Sequence, residues 1–257
     1  MRHKVWIVPH THYDAEVFLT REKTIEIGIS ILVDALRLLR AEPRFRFLID
    51  QVSYIDPFLK AHPEEREFFL RMVREGRLAV VGGVLVMPDL NIPSGESFIR
   101  QVMWGKEYCR RELGVEVRCS WTIDSFGRHP QLPQLLVGCG FDHDVFQRVM
   151  VKDSPSEFLW EGIDGTRILC HWMPLGYAVL WQFPDNAHQF GRFLQTRLTA
   201  LVDHAVTEHV LLAHGPDLER FPVQLLRQIE DFRQHRSEYE IAFATPGRKC
   251  CSTSFTT

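Results

Sequence analysis

Val5-Trp6-Ile7-Val8-Pro9-His10-Thr11-His12-Tyr13-Asp14 is an apolar run that breaks abruptly into imidazoles and a carboxylate. Residues 4–9 read as a short buried strand, because the apolar side chains run together as they do when both faces of a strand are covered. The segment 24–40 then sets Ile25, Ile29, Leu32, Leu36 and Leu39 on one helical face. Strand followed by helix is the unit from which the rest of the chain is built.

The unit recurs. Residues 46–50 are strand-like, 64–75 helical up to Gly76, and 78–81 a third strand closed by Gly82-Gly83. A helix over 95–113 has Ser94 as its cap, and 119–123 is the fourth strand. Beyond it come a short helix at 132–137, a strand at 144–147 and a hairpin over 157–172 turning at Asp164-Gly165. A helix at 193–206, a strand at 209–213, a helix at 223–233 and a strand at 240–244 complete the series. This alternation predicts an α/β fold, a parallel sheet, open or closed into a barrel, covered by crossover helices; the form expected is a β/α barrel of about seven strands, complete or incomplete. Residues 1–246 read as one domain. Over 247–257 aliphatic residues and periodicity vanish around Cys250-Cys251, so this stretch is expected to be a disordered or aberrant tail.

Composition narrows the functional classes. Of 257 residues 45% are hydrophobic, enough to rule out disorder. The longest apolar stretches are broken by glycines well short of the roughly 20 residues a membrane span needs. A net charge of -3 argues against nucleic acid or anionic lipid as the main partner. The first apolar run is too short for a signal peptide, and six cysteines without CxxC spacing fit a reducing compartment. A cytoplasmic protein acting on a small polar substrate is expected, with self-association left open.

In parallel α/β folds chemistry gathers at the C-terminal ends of the strands. Those ends carry His10, His12 and Asp14 after the first strand, Asp50 and Gln51 after the second, and Pro88-Asp89 beyond the third. Asp124 follows the fourth strand, Gln147-Arg148 the fifth, and His214 and Asp217 a later one. Packed carboxylates repel unless a cation lies among them. His12 and Asp14 suit Zn²⁺ as ligands, with Asp124 as a third; Co²⁺ or Mn²⁺ would also be accepted. Asp124 reads equally as a helix N-cap.

The segment Val8-Pro9-His10-Thr11-His12-Tyr13-Asp14-Ala15-Glu16 resembles the opening motif of the glycoside hydrolase family 38 enzymes, the zinc-dependent α-mannosidases. Gly82 to Asp89 with Pro93-Ser94-Gly95-Glu96-Ser97 resembles its second block. Trp121-Thr122-Ile123-Asp124-Ser125-Phe126-Gly127 with His129-Pro130-Gln131-Leu132-Pro133 resembles its third. The resemblance implies a retaining α-mannosidase that removes terminal α-linked mannose from oligosaccharides or glycoconjugates. His12, Asp14 and Asp124 would bind zinc, and Asp124 would also be the nucleophile. Phe126 would line the sugar site, Arg148 would hydrogen-bond near the nucleophile, and Asp217 is the candidate acid/base.

There are departures. Where the family commonly has a tryptophan three residues after the metal aspartate, this chain has Val17, followed by Phe18. Pro216 precedes Asp217 where relatives often carry an acidic or small residue. The family's further histidine ligand lies beyond the matched region, so the resemblance implies the N-terminal catalytic part of a longer protein. Weaker zinc binding and little turnover are then expected, unless His214 replaces the missing ligand. A rival reading takes both His10 and His12 as ligands of an amidohydrolase or phosphoesterase that uses metal-bound water, with His143, His171 or His214 as additional ligands.

Overall fold

The computed structural model describes residues 3–150, 153–236 and 238–246. Strand β1 (His3–Pro9) is followed by α1 (Arg21–Ala41), β2 (Phe47–Ile49), α2 (Ile55–Ala61), α3 (Arg66–Arg74) and β3 (Leu78–Val80). Next come α4 (Gly95–Tyr108), β4 (Cys119–Thr122), α5 (Leu132–Gly138), β5 (His143–Phe146) and the hairpin β6 (Glu157–Glu161) and β7 (Arg167–Trp172). The series ends with α6 (Ala187–Val202), β8 (His209–His214), α7 (Gln224–His235) and β9 (Tyr239–Phe243). The tail expected over 247–257 lies outside the described residues.

Two helices depart from the sequence expectation for local reasons. Helix α2 has a proline, Pro57, in its first turn, where the missing N–H costs nothing, and it is held by buried Ile55, Phe58 and Leu59. Helix α6 begins at Ala187 rather than 193 because the Asn186 side chain accepts hydrogen bonds from the His188 and Gln189 amides.

The expected seven-stranded parallel barrel is wrong. Among the described residues there are three open sheets, ordered β8-β1-β9, β2-β3 and β4-β5-β7-β6. β1 is parallel to β8 on one side and to β9 on the other, so β9 occupies the edge on which β2 would have completed a ladder. β2 is left with one bridge to the first sheet, between His10 and Leu48. β2 and β3 contribute three residues each, too few to carry pairing onward. At the end of β3, Gly82 and Gly83 take φ of +70° and +59° and turn the chain away, leaving a Gly82 amide bond to the Cys119 carbonyl (2.9 Å) to span to β4. β6 runs antiparallel to β7 and ends the third sheet. No helix among the described residues is long and apolar enough to cross a membrane.

Strand alternation sorts the core into two clusters. Val5, Ile7, Phe47, Ile49, Val210 and Leu212 join the helix residues Leu32, Leu36 and Phe58 in the larger one. Val8, Leu48, Trp121, Val145, Leu211 and Ala213 form the smaller. Trp121 is fully buried and packs edge-on against His10, so this inner cluster lies directly beneath the residues that follow β1.

Candidate active site

Pairing between β1 and β8 continues past both strands. The His10 amide donates to the His214 carbonyl (3.1 Å), the His12 amide to the Gly215 carbonyl (3.1 Å) and the Leu218 amide back to the His12 carbonyl (2.9 Å), which puts His12 and Asp217 opposite each other. The register requires glycine at 215, where a Cβ would sit 2.4 Å from the His10 carbonyl. Gln51, just after β2, donates to the Tyr13 carbonyl (2.6 Å) and accepts from the Met87 amide (2.7 Å). One side chain thus ties three strand-end segments together.

The segment after β4 is held as firmly. Ser125 donates to the Pro88 carbonyl (3.0 Å). Arg128 donates to Thr122 (2.8 Å) and pairs with fully buried Asp144, its guanidinium lying 3.9 Å from the centre of the Phe146 ring. Within this segment, Asp124 Oδ1 accepts from Arg148 Nε (2.9 Å) and from a second guanidinium nitrogen, while Arg148 lies 4.3 Å over the Phe126 ring. Phe126 is 68% exposed, an apolar wall open to solvent. Asp124 does not cap α5: that helix begins eight residues later and has no side-chain cap.

His12 is the centre of the arrangement. Its Nδ1 lies 3.5 Å from Asp50 Oδ2, its Nε2 lies 4.0 Å from Asp124 Oδ2, and its ring is 5.2 Å from that of Tyr177. Tyr177 in turn donates to Asp217 Oδ1 (2.8 Å). Burial alone would lower the His12 pKa, but Asp50, Asp217 and Asp124 outweigh it and the pKa is raised. Asp14 is also raised, first by burial and then by Asp217 and Asp124, with His12 opposing. Asp217 and Asp124 disfavour the charge on Asp14, and carboxylates grouped in this way are a setting for a cation.

A cleft of about 200 Å³ is lined by His12, Asp14, Val17, Asp124 and Phe126, among others. Four of the six expected site residues therefore share it. Arg148 stands behind Asp124, and Asp217 is exposed on the neighbouring loop, tied in through Tyr177. The donor set suits zinc in kind, and the His12 ring is turned the right way, with one nitrogen toward a buried carboxylate and the other toward Asp124. Among the described residues, however, no group of three or more His, Cys, Asp or Glu side chains is gathered closely enough to hold a metal ion in this conformation.

The histidines of the rival reading are not gathered either. His10 is 1% exposed against Trp121, and burial lowers its pKa to about 4. His214 is likewise lowered to about 4 by burial, and its Nδ1 accepts from the Leu180 amide. His143 begins β5, at the far end of the strands, and His171 pairs with Glu157 (3.0 Å). Sequence reading missed Tyr177, which lies on the loop between β7 and α6 with no periodic signal; Gly176 beside it, at φ +77°, marks only a turn.

The family model described as "Glycosyl hydrolases family 38 N-terminal domain" matches residues 2–248. Alpha-mannosidase 2C1 of Homo sapiens is 30% identical over 177 residues, covering 67% of this chain and 17% of that protein. Alpha-mannosidase G of Dictyostelium discoideum is 33% identical over 175 residues, covering 66% and 16% respectively. The crystal structure of an alpha-mannosidase from Enterococcus faecalis V583 superposes with a TM-score of 0.87 at 26% identity, covering 95% of this chain and 28% of that one. The chain thus spans less than a third of the length of each of these proteins.

Proposed function

This chain belongs to glycosyl hydrolase family 38, as the N-terminal domain of that family, and from that premise we propose that it supplies the catalytic carboxylates of a retaining α-mannosidase acting on terminal α-linked mannose. One observation carries the reading: Arg148 holds Oδ1 of Asp124 through two donors, so that Oδ2 is left toward His12 beside the open Phe126 wall. A carboxylate held through one oxygen, with the other turned into the cleft, is a positioned nucleophile.

Asp124 Oδ2 attacks the anomeric carbon while the bond to the leaving oxygen breaks. Asp217 delivers its proton to that oxygen, so the alcohol departs neutral and a glycosyl ester remains on Asp124. In the second step Asp217 takes a proton from water, the water oxygen attacks the anomeric carbon, and Asp124 is released. Two inversions give net retention. Tyr177 engages Asp217 Oδ1 and so leaves the other oxygen to carry the proton. Phe126 shields one side of the sugar, with Val17 on the cleft wall where a larger ring would stack.

The zinc implied by the family would be held by His12, Asp14 and Asp124, and when bound it supplies a Lewis acid that grips adjacent sugar hydroxyls. Hydrolysis of an aryl α-mannoside by the zinc-loaded protein, followed by proton NMR, tests the reading. The first-formed sugar should be the α-anomer; first appearance of the β-anomer would contradict two-step displacement.

A further inference from the structure

We infer that Asp50 is a positioning residue for His12, fixing which ring nitrogen carries the proton and which one faces Asp124; the inference rests on the zinc reading above. Asp50 follows β2 directly and is 0% exposed, yet neither of its carboxylate oxygens has a hydrogen-bond partner among the described residues. His12 Nδ1 is in the same condition, and the two face each other at 3.5 Å. A buried carboxylate without a partner is costly, and two buried groups, likewise unpartnered among the described residues, lie near it, the Tyr54 hydroxyl and His12 Nδ1.

Of the two, His12 is the one that also faces Asp124. A histidine that ligates through Nε2 needs its other nitrogen as an N–H donor to an acceptor, which locks both tautomer and ring angle. Asp50 Oδ2 lies on the Nδ1 side and Asp124 Oδ2 on the Nε2 side, 4.0 Å away. The backbone makes the placement rigid. The Val81 amide donates to the Ile49 carbonyl (2.9 Å), and a Cβ on Gly82 would fall 2.5 Å from the Asp50 carbonyl oxygen, so the Asp50 main chain is clamped between β2 and the turn after β3. His12 is fixed independently through its bonds to Gly215 and Leu218. Two clamped segments thus bring Asp50 and His12 together, and neither main chain can shift away without breaking strand-end pairing.

The test reads the tautomer directly. In metal-free, nitrogen-15-labelled protein, at a pH where the His12 nitrogen shifts themselves show a neutral ring, long-range nitrogen–proton correlation should show His12 as the Nδ1–H tautomer. Wild-type protein in the Nε2–H form would overturn the inference by itself. In Asp50→Asn the carboxamide can turn its NH₂ toward Nδ1 and favour the opposite tautomer, and in Asp50→Ala the preference should disappear. Zinc affinity, measured by competition with a chromophoric chelator, should fall about 10–100-fold in Asp50→Asn, with circular dichroism confirming the fold. A purely structural Asp50 would change the melting temperature but leave tautomer and affinity in place, and affinities within about threefold of wild type with an unchanged tautomer would overturn the inference. Absence of zinc binding by the wild type would contradict the zinc reading alone, because the tautomer is measured without metal.

Discussion

Asp144→Asn should cost this protein more stability than almost any other isosteric change. Asp144 is fully buried, and Arg128, its partner, is 5% exposed at the side chain, donates to Thr122 and lies against the Phe146 and Trp160 rings. Burial lowers the Arg128 pKa to about 10, which leaves it cationic at neutral pH. Removing the carboxylate strands that cation in an apolar setting, a loss of about 3–5 kcal/mol. In a domain of this size, where 1 kcal/mol moves the melting temperature by about 2–4 °C, the shift is roughly 6–20 °C downward. Urea titration of wild type, Asp144→Asn, Arg128→Met and the double variant Arg128→Met/Asp144→Leu measures it. The double variant should recover much of the loss, since a packed apolar pair can replace a buried ion pair at little cost. Because Arg128 anchors the segment bearing Asp124 and Phe126, turnover should fall in the single variants even at temperatures where they remain folded. A single-variant loss below about 1 kcal/mol, the size of an exposed pair, would refute the reasoning.

Other sites give sharper functional readouts. Arg148→Lys keeps the charge but loses the two-donor grip on Asp124 Oδ1, so kcat for an aryl α-mannoside should drop about 10–100-fold, with the melting temperature little changed because the pair is partly exposed. Tyr177→Phe removes the donor to Asp217; kcat should fall more for a poor leaving group than for a good one, since only the former depends on protonation, with KM little altered. Equal losses for both leaving groups would count against Asp217 as the acid. Burial would raise the Glu157 pKa, but its bonds to His171, the Val206 amide and Ser156 hold it below 4.5. A depressed carboxylate contributes stability above its unfolded pKa and loses it as pH falls through its folded value, so wild type should destabilise below about pH 4.5 and Glu157→Gln should lack that part of the slope. Identical pH–stability curves for the two proteins would refute this assignment.

Much of the site was legible because strand-end residues in a parallel α/β chain have few places to go. His12, Asp14 and Asp124 were placed by where their strands end, Phe126 by the family resemblance, and the four line one cleft. What pattern reading could not reach was pairing between sequence-distant edges. Nothing in a three-residue strand such as Leu78–Val80 says whether it will find β4, and nothing in Tyr239–Phe243 says that it will take the edge of β1. Alternation left the sheet open or closed, and the expected barrel gave way to three open sheets. Tyr177 escaped because irregular loops carry no period, and it acquires meaning only once the chain folds back beside Gly215. Asp50 stood out at a strand end, but its relation to His12 depends on two main-chain clamps visible only in three dimensions.

The most direct test of the account is to trap the glycosyl ester. Zinc-loaded protein treated with a fluorinated mannosyl fluoride, which slows the second step, should gain one sugar mass on the proteolytic peptide containing Asp124, and Asp124→Ala should not label. Labelling undiminished by that substitution, or carried by a peptide containing Asp217 instead, would contradict the assignment of Asp124 as the nucleophile.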